Sequence, residues 1–259
     1  MKKARLLAIL TLMFTLRLSA GVWDVDYPAL EHSIREPRFA DRSFHITKYG
    51  AKPDASAAAN QKAINKAIEA CSKAGGGKVI VPAGTFSTGA IRLRSGVNLV
   101  VEEGATLLFA FDPSLYPIVP TRWEGMDCWN LSPCIYAYQE KDVAITGKGT
   151  VDGGASNEAW WPWCGKKHYG WNENIIRQQD AGRPRLQQFV EDGTPTDERR
   201  FGESDRLRPQ LVNFNQCDGV LIEDVELLRS PFWVIHPLLC KNVTVRRARI
   251  VNDGPNGDG

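Results

Sequence analysis

CDGVLIEDVELLRSPFWVIHPLLCKNVTVRRARIV, residues 217–251, contains one short passage twice. Val220-Leu221-Ile222 lines up with Val243-Thr244-Val245 at a shift of 23 residues, and Cys217 lines up with Cys240 at the same shift. Val225 and Leu227 match Ala248 and Ile250, again 23 apart. Both copies are short β-rich runs broken by turn residues, with no helical period. Upstream, Val97-Asn98-Leu99 and Val143-Ala144-Ile145 stand 46 residues apart, which reads as two such periods. A recurring unit of two or three short strands is the signature of a coil in a parallel β-helix. Successive coils stack by strand hydrogen bonds about 4.8 Å apart. The expected fold class is all-β, a parallel β-helix, against the alternative of a β-sandwich with chance periodicity.

Other runs fit the stack: KVIVP from 78, AIRLR from 90, GVNLVV from 96, TLLFAF from 106 and DVAIT from 142. One long helical pattern precedes them. Ala63, Ile64, Ala67, Ile68 and Cys71 share a face, with Asp54 or Ser56 as candidate N-cap and Gly75-Gly76-Gly77 as the stop. The first coil of an open stack exposes unpaired backbone and apolar interior, so this amphipathic helix is expected to cap that end. From about 154 to 209 an insertion interrupts the repeat. It carries WWPWCGKKHYGW, and five of the eight Trp residues fall between 129 and 171. Aromatic faces with interleaved Lys and His suit stacking on acidic sugars. A loop tethered by its own small apolar cluster is the other reading, and the two are compatible.

With 43% hydrophobic and 24% charged residues, the chain has the composition of a globular protein with a sizeable core. Residues 1–20 differ: Lys2, Lys3 and Arg5 lead into LLAILTLMFTL, and LSA follows. That is the pattern of a secretory signal peptide, which implies a secreted or periplasmic protein and a mature domain over 21–259. The apolar run is shorter than the roughly 20 residues of a spanning helix, so no membrane span is expected after cleavage. Loss of four cations takes the formal charge from +2 to +2 − 4 = −2, which excludes a nucleic-acid partner on charge grounds.

Six cysteines are compatible with an oxidising compartment. Stacking would hold the Cβ atoms of Cys217 and Cys240 about one strand spacing apart, beyond the ~3.8 Å a disulfide prefers, so they read as a thiol ladder. Pairing of Cys128 with Cys134 stays open. Cys164 and His168 sit four apart, but no further ligands match that spacing, and neither a metal nor a cofactor is expected.

The chain ends on NDGPNGDG, residues 252–259. Gly257 and Gly259 let the backbone turn tightly and present the Asp258 carboxylate, and Asn256 stands two residues before it. Such pairs are also ordinary turn formers. Five passages in order resemble the polygalacturonase family of glycoside hydrolases, family 28, of bacterial type. They are ITKYGAKPD from 46, KAIEACSKAGGGKVIVPAGTF from 66, GKGTVDGG from 147, the WWPW…YGW insertion, and SPFWVIHPLLCKNVTVRRARIVNDGPNGDG from 230.

The resemblance covers nearly all of the mature chain. It implies a right-handed parallel β-helix, a monomer, and hydrolysis of α-galacturonosyl links in pectic polysaccharide or oligogalacturonide with inversion. Inversion needs an acid for the leaving oxygen and a carboxylate base for water. The family's Asn-x-Asp motif matches Asn256-Gly257-Asp258, which makes Asp258 a catalytic, water-activating carboxylate and Asn256 a substrate-binding neighbour. His236 and Trp233, about one coil earlier, are expected to bind substrate on the groove face; a histidine inside a packed turn beside Pro237 is the open alternative. The family's Asp-Asp pair about one coil later, its Gly-His-Gly and its Arg-x-Lys do not lie within the 259 residues, and Asp253 matches none of them. The chain therefore reads as an N-terminal portion, inactive alone. A polysaccharide lyase, which would need a Ca²⁺-binding column of acids, and a non-catalytic glycan-binding β-helix are the alternative functions.

Overall fold

The computed structural model describes residues 22–256. The expected signal segment 1–20 and the expected catalytic Asp258 lie outside the described residues. The chain divides at residue 35 into two units. The described part of the first holds helix α1 (Val22–Ser33).

The second unit winds as a right-handed parallel β-helix of three sheets, A, B and C. It opens with β1 (Ser43–His45) and helix α2 (Ala57–Lys73). The first full coil is β2 (Gly77–Val81), β3 (Gly84–Thr88) and β4 (Ile91–Arg92). The second is β5 (Val97–Val101), β6 (Ala105–Phe109), an antiparallel hairpin of β7 (Ile118–Trp123) and β8 (Met126–Leu131), then β9 (Ile135–Tyr138). The third is β10 (Lys141–Thr146), β11 (Thr150–Asp152), the insertion with helix α3 (Gly182–Glu191), and β12 (Val212–Asn215). The fourth is β13 (Asp218–Glu223), β14 (Glu226–Leu228) and β15 (Ile235–Leu238). A fifth begins with β16 (Lys241–Arg246) and β17 (Arg249–Val251).

Like residues stack in columns. In sheet A, Val79, Leu99, Ile145, Ile222 and Val245 stand in register; in sheet B, Phe86, Leu107, Val151, Leu227 and Ile250 do. Sheet C contributes Ile91, Ile135, Val212 and Ile235. Most of these side chains are fully buried in one continuous core, each worth about 1.5–3 kcal/mol of burial.

The 23-residue repeat is the register of β13 on β16 and β14 on β17. The interval of 46 is corrected: β5 pairs directly with β10, Leu99 against Ile145, so 46 residues make one long coil, not two. The hairpin takes up the excess. It turns on Glu124 and Gly125, both at positive φ, the two-residue loop that suits strand twist.

Helix α2 buries the expected face, Ala63, Ile64, Ala67, Ile68 and Cys71, against the first coil. Ser56, not Asp54, is its N-cap, accepting from Ala59 N at 3.3 Å. All six cysteines are free thiols. Cys240 sits one rung from Cys217, whose backbone N–H donates to its Sγ at 3.4 Å.

Candidate active site

Every departure from the minimal coil leaves from one corner, the turn between sheets B and C. The hairpin arises there in the second coil and the insertion in the third. In the fourth coil the corner is residues 229–234, and in the fifth it is the turn that follows Val251. Stacked corners bring these segments together. Hairpin and insertion share a small second core of Trp123, Cys128, Leu186, Phe201, Leu207 and Phe232, with Trp233 packed against it.

The insertion's aromatics divide by burial. Trp160 and Trp163 are buried and pack edge-on against each other at 5.0 Å and against Phe111. These two join the main core and are not available for sugar stacking, while the insertion's separate small cluster is formed by Leu186, Phe201 and Leu207. Trp161 donates its Nε1–H to Ser230 O at 3.0 Å, which fixes the insertion to the corner of the fourth coil.

At that corner three rings are stacked. Trp123 of the hairpin lies on Phe232 with centroids 5.2 Å apart and planes at 8°, and Phe232 lies on Trp233 at 4.9 Å and 19°. Trp233 is half-buried, and the His236 ring meets it edge-on at 5.1 Å. The two predicted residues are therefore neighbours.

His236 belongs to strand β15 and not to a turn, directly opposite Asn213 of β12. Asn213 Nδ2 donates to His236 O at 2.7 Å and contacts His236 Nδ1 at 3.1 Å, while Thr121 Oγ1 donates to Asn213 Oδ1 at 3.4 Å. With Asn213 donating, Nδ1 accepts and the imidazole proton resides on Nε2. Burial, with the nearby Arg122 cation adding to it, holds the His236 pKa below the ordinary 6.5, so the ring is neutral at neutral pH.

The outward face of sheet C is partly roofed. Tyr136, Asn213 and Asn215 are buried, and the hairpin lies over them: Tyr136 Oη and Asn215 Nδ2 both donate to Pro120 O. Arg122 holds Asp127 across the hairpin through two bonds of 2.7 and 3.1 Å, and Gln210 donates to its carbonyl at 2.9 Å. The face opens at His236, which is half-buried.

Asn256 is exposed and adopts φ 58°, a left-handed turn conformation that Asn tolerates well. Its Oδ1 accepts from Arg208 Nη2 at 2.9 Å. The Arg208 guanidinium also covers the Phe232 ring at 5.1 Å. Asn256 is thus linked to Trp233 through Arg208 and Phe232, although no described hydrogen bond joins it to His236. Sequence reading missed Arg208, Asn213 and the hairpin. The hairpin had a signal in Glu124-Gly125 between two β-rich runs; Arg208 had none, being one of several cations in a polar stretch.

No protein-family model matches the chain. The crystal structure of a hyperthermoactive exopolygalacturonase from Thermotoga maritima is similar, with a TM-score of 0.85 and 43% identity over 90% of this chain and 52% of that one. A Vitis vinifera protein named "Probable polygalacturonase" is 27% identical over 211 residues, 77% of this chain and 35% of the relative. An exo-poly-alpha-D-galacturonosidase of Dickeya chrysanthemi is 36% identical over 117 residues, 42% of this chain and 19% of the relative. The chain therefore spans about half of the solved structure, a third of one curated relative and a fifth of the other.

Proposed function

We propose that the protein hydrolyses α-galacturonosyl linkages of pectic polysaccharide, acting from a chain end and inverting the anomeric carbon. One observation carries the reading: the likeness to an exopolygalacturonase extends over 90% of the chain at 43% identity. In this reading Asp258 takes a proton from water as the oxygen attacks C1, and an acid on the opposite side protonates the leaving oxygen. The pair would stand roughly 6.5 to 9.5 Å apart. The family pattern assigns that acid to the Asp-Asp pair about one coil beyond Asp258.

The described residues have fitting roles. Trp233 offers a half-exposed ring for a pyranose to lie against. The neutral His236 presents Nε2–H to a sugar hydroxyl. Arg208 engages Asn256 Oδ1, which turns the amide so that its Nδ2 serves as donor toward substrate or carboxylate. Support for action at a chain end comes from the hairpin, which roofs the sheet C face on one side of His236. A polymer laid along this face meets that wall. The segment 1–20 supports secretion or a periplasmic location, and we propose a monomer without a nucleic-acid partner. Among the described residues, no helix is long and apolar enough to cross a membrane.

The mode is tested on polygalacturonate with the full-length gene product, following reducing ends and viscosity together. The reading expects mono- or short oligogalacturonate while viscosity falls slowly. A rapid loss of viscosity at low conversion would contradict the chain-end mode, and the absence of any product would contradict the hydrolase reading.

A further inference from the structure

Two side chains of the insertion reach across the corner of the fourth coil to the turn of the fifth, and both bridge the same pair of turns. Arg208 is fully buried. Its Nη1 donates to Pro231 O at 2.8 Å and to Pro255 O at 2.9 Å, its Nη2 to Asn256 Oδ1 at 2.9 Å, and its Nε to Gln178 Oε1 at 3.2 Å. Trp161 donates to Ser230 O, and its ring lies beneath Gly254, where an added Cβ would land on the indole.

No described carboxylate forms an ion pair or hydrogen bond with Arg208. A cation buried in this way is costly, and an apolar side chain of similar volume would fill the space with less penalty. Burial pushes its pKa down to about 10, still well above neutrality, so the guanidinium keeps its charge and all its donors. What an apolar filler could not supply is the planar fork that ties two backbone carbonyls and one side-chain amide in fixed relative positions.

We infer that Arg208, backed by Trp161 and Gln178, is a positioning residue that fixes the turn 252–256 and so aims the Asp258 carboxylate. The inference rests on the hydrolase reading above and deepens it: the insertion serves as the jig of the catalytic turn. Arg208 acts through Asn256 and the backbone of Pro255. A misplacement of the base by about 1 Å is enough to cost on the order of 100-fold in turnover. Binding of the polymer, spread over the rest of the groove, changes far less.

The test uses the full-length gene product with Arg208→Ala and, separately, Gly254→Ala, which displaces the turn from Trp161 without touching the buried charge. Both are expected to lower kcat on polygalacturonate by about 100-fold with KM held within about 3-fold, at temperatures well below their melting. Methylguanidinium added to Arg208→Ala is expected to recover part of the lost kcat without changing KM. Folded variants with normal kcat would overturn the inference, as would a defect confined to KM. Full activity of Asp258→Asn would remove the reading of the turn as catalytic; an inactive Asp258→Asn beside normal Arg208→Ala and Gly254→Ala would overturn the positioning role alone.

Discussion

His236 shows how a single residue's surroundings set its chemistry. Its Nδ1 faces the Asn213 amide and its ring edge faces Trp233, so protonation would place a second donor against Asn213. The charged groups near it are cationic through Arg122, and its pKa lies below the ordinary 6.5. Because the unfolded chain takes up this proton first, the stabilising contribution is fully present above about pH 6.5 and is lost as pH falls through the lowered folded value. Melting of the wild type is therefore expected to weaken between pH 7 and 5 relative to His236→Gln, measured by thermal scans across that range; parallel curves for the two proteins would contradict the neutral, Asn213-bound ring. That His236 and Trp233 share one coil was legible because they sit on a repeat. Asn213 was not, because a polar residue inside a strand acquires meaning only when its partner on the next rung is known.

Elements were legible where side chains carry the period. Helix α2 was readable to its buried face, since its apolar stripe and its punctuation agree. Ser56→Ala is expected to cost about 1 kcal/mol, checked by chemical denaturation, because Ala59 N loses its acceptor. The corners of the coils were not readable. They repeat in backbone and not in residue type: Gly96, Asp142, Gly219 and Asn242 share one left-handed position, and Gly147, Asp224 and Arg247 share another. Only at Gly147 does the close approach of the Val101 carbonyl leave no room for a Cβ, whereas Asp224 and Arg247 carry one at the same position. The hairpin was missed for a related reason. Among the described residues it pairs with itself and, through Trp129, with Arg200 of the insertion, but with no strand of sheets A, B or C, so no column of the stack announces it within the 46-residue coil.

At the scale of the whole molecule, the stack supplies a regular ladder and the B-to-C corners carry the hairpin and the insertion. Each coil leans on its neighbours, so removing one rung of a column should be felt along it. Ile145→Ala, in the middle of the sheet A column, is expected to destabilise by about 2–5 kcal/mol in denaturant unfolding. The fold was legible because columns such as Ile145–Ile222–Val245 repeat in sequence as well as in space. The site was legible only in part. Asn256 and Asp258 are proposed through a motif, whereas the contacts of Arg208 and Trp161 with the turn 252–256 emerge only once the insertion folds back on the corner it left. The central claim, that Asp258 is a catalytic carboxylate of a pectic hydrolase, is tested most directly by the initial rate of reducing-end release from polygalacturonate, wild type against Asp258→Asn. The account predicts steady release by the wild-type full-length protein and a loss of at least about 100-fold in a variant that folds normally. Equal rates in the two proteins, or no release by either, would contradict it.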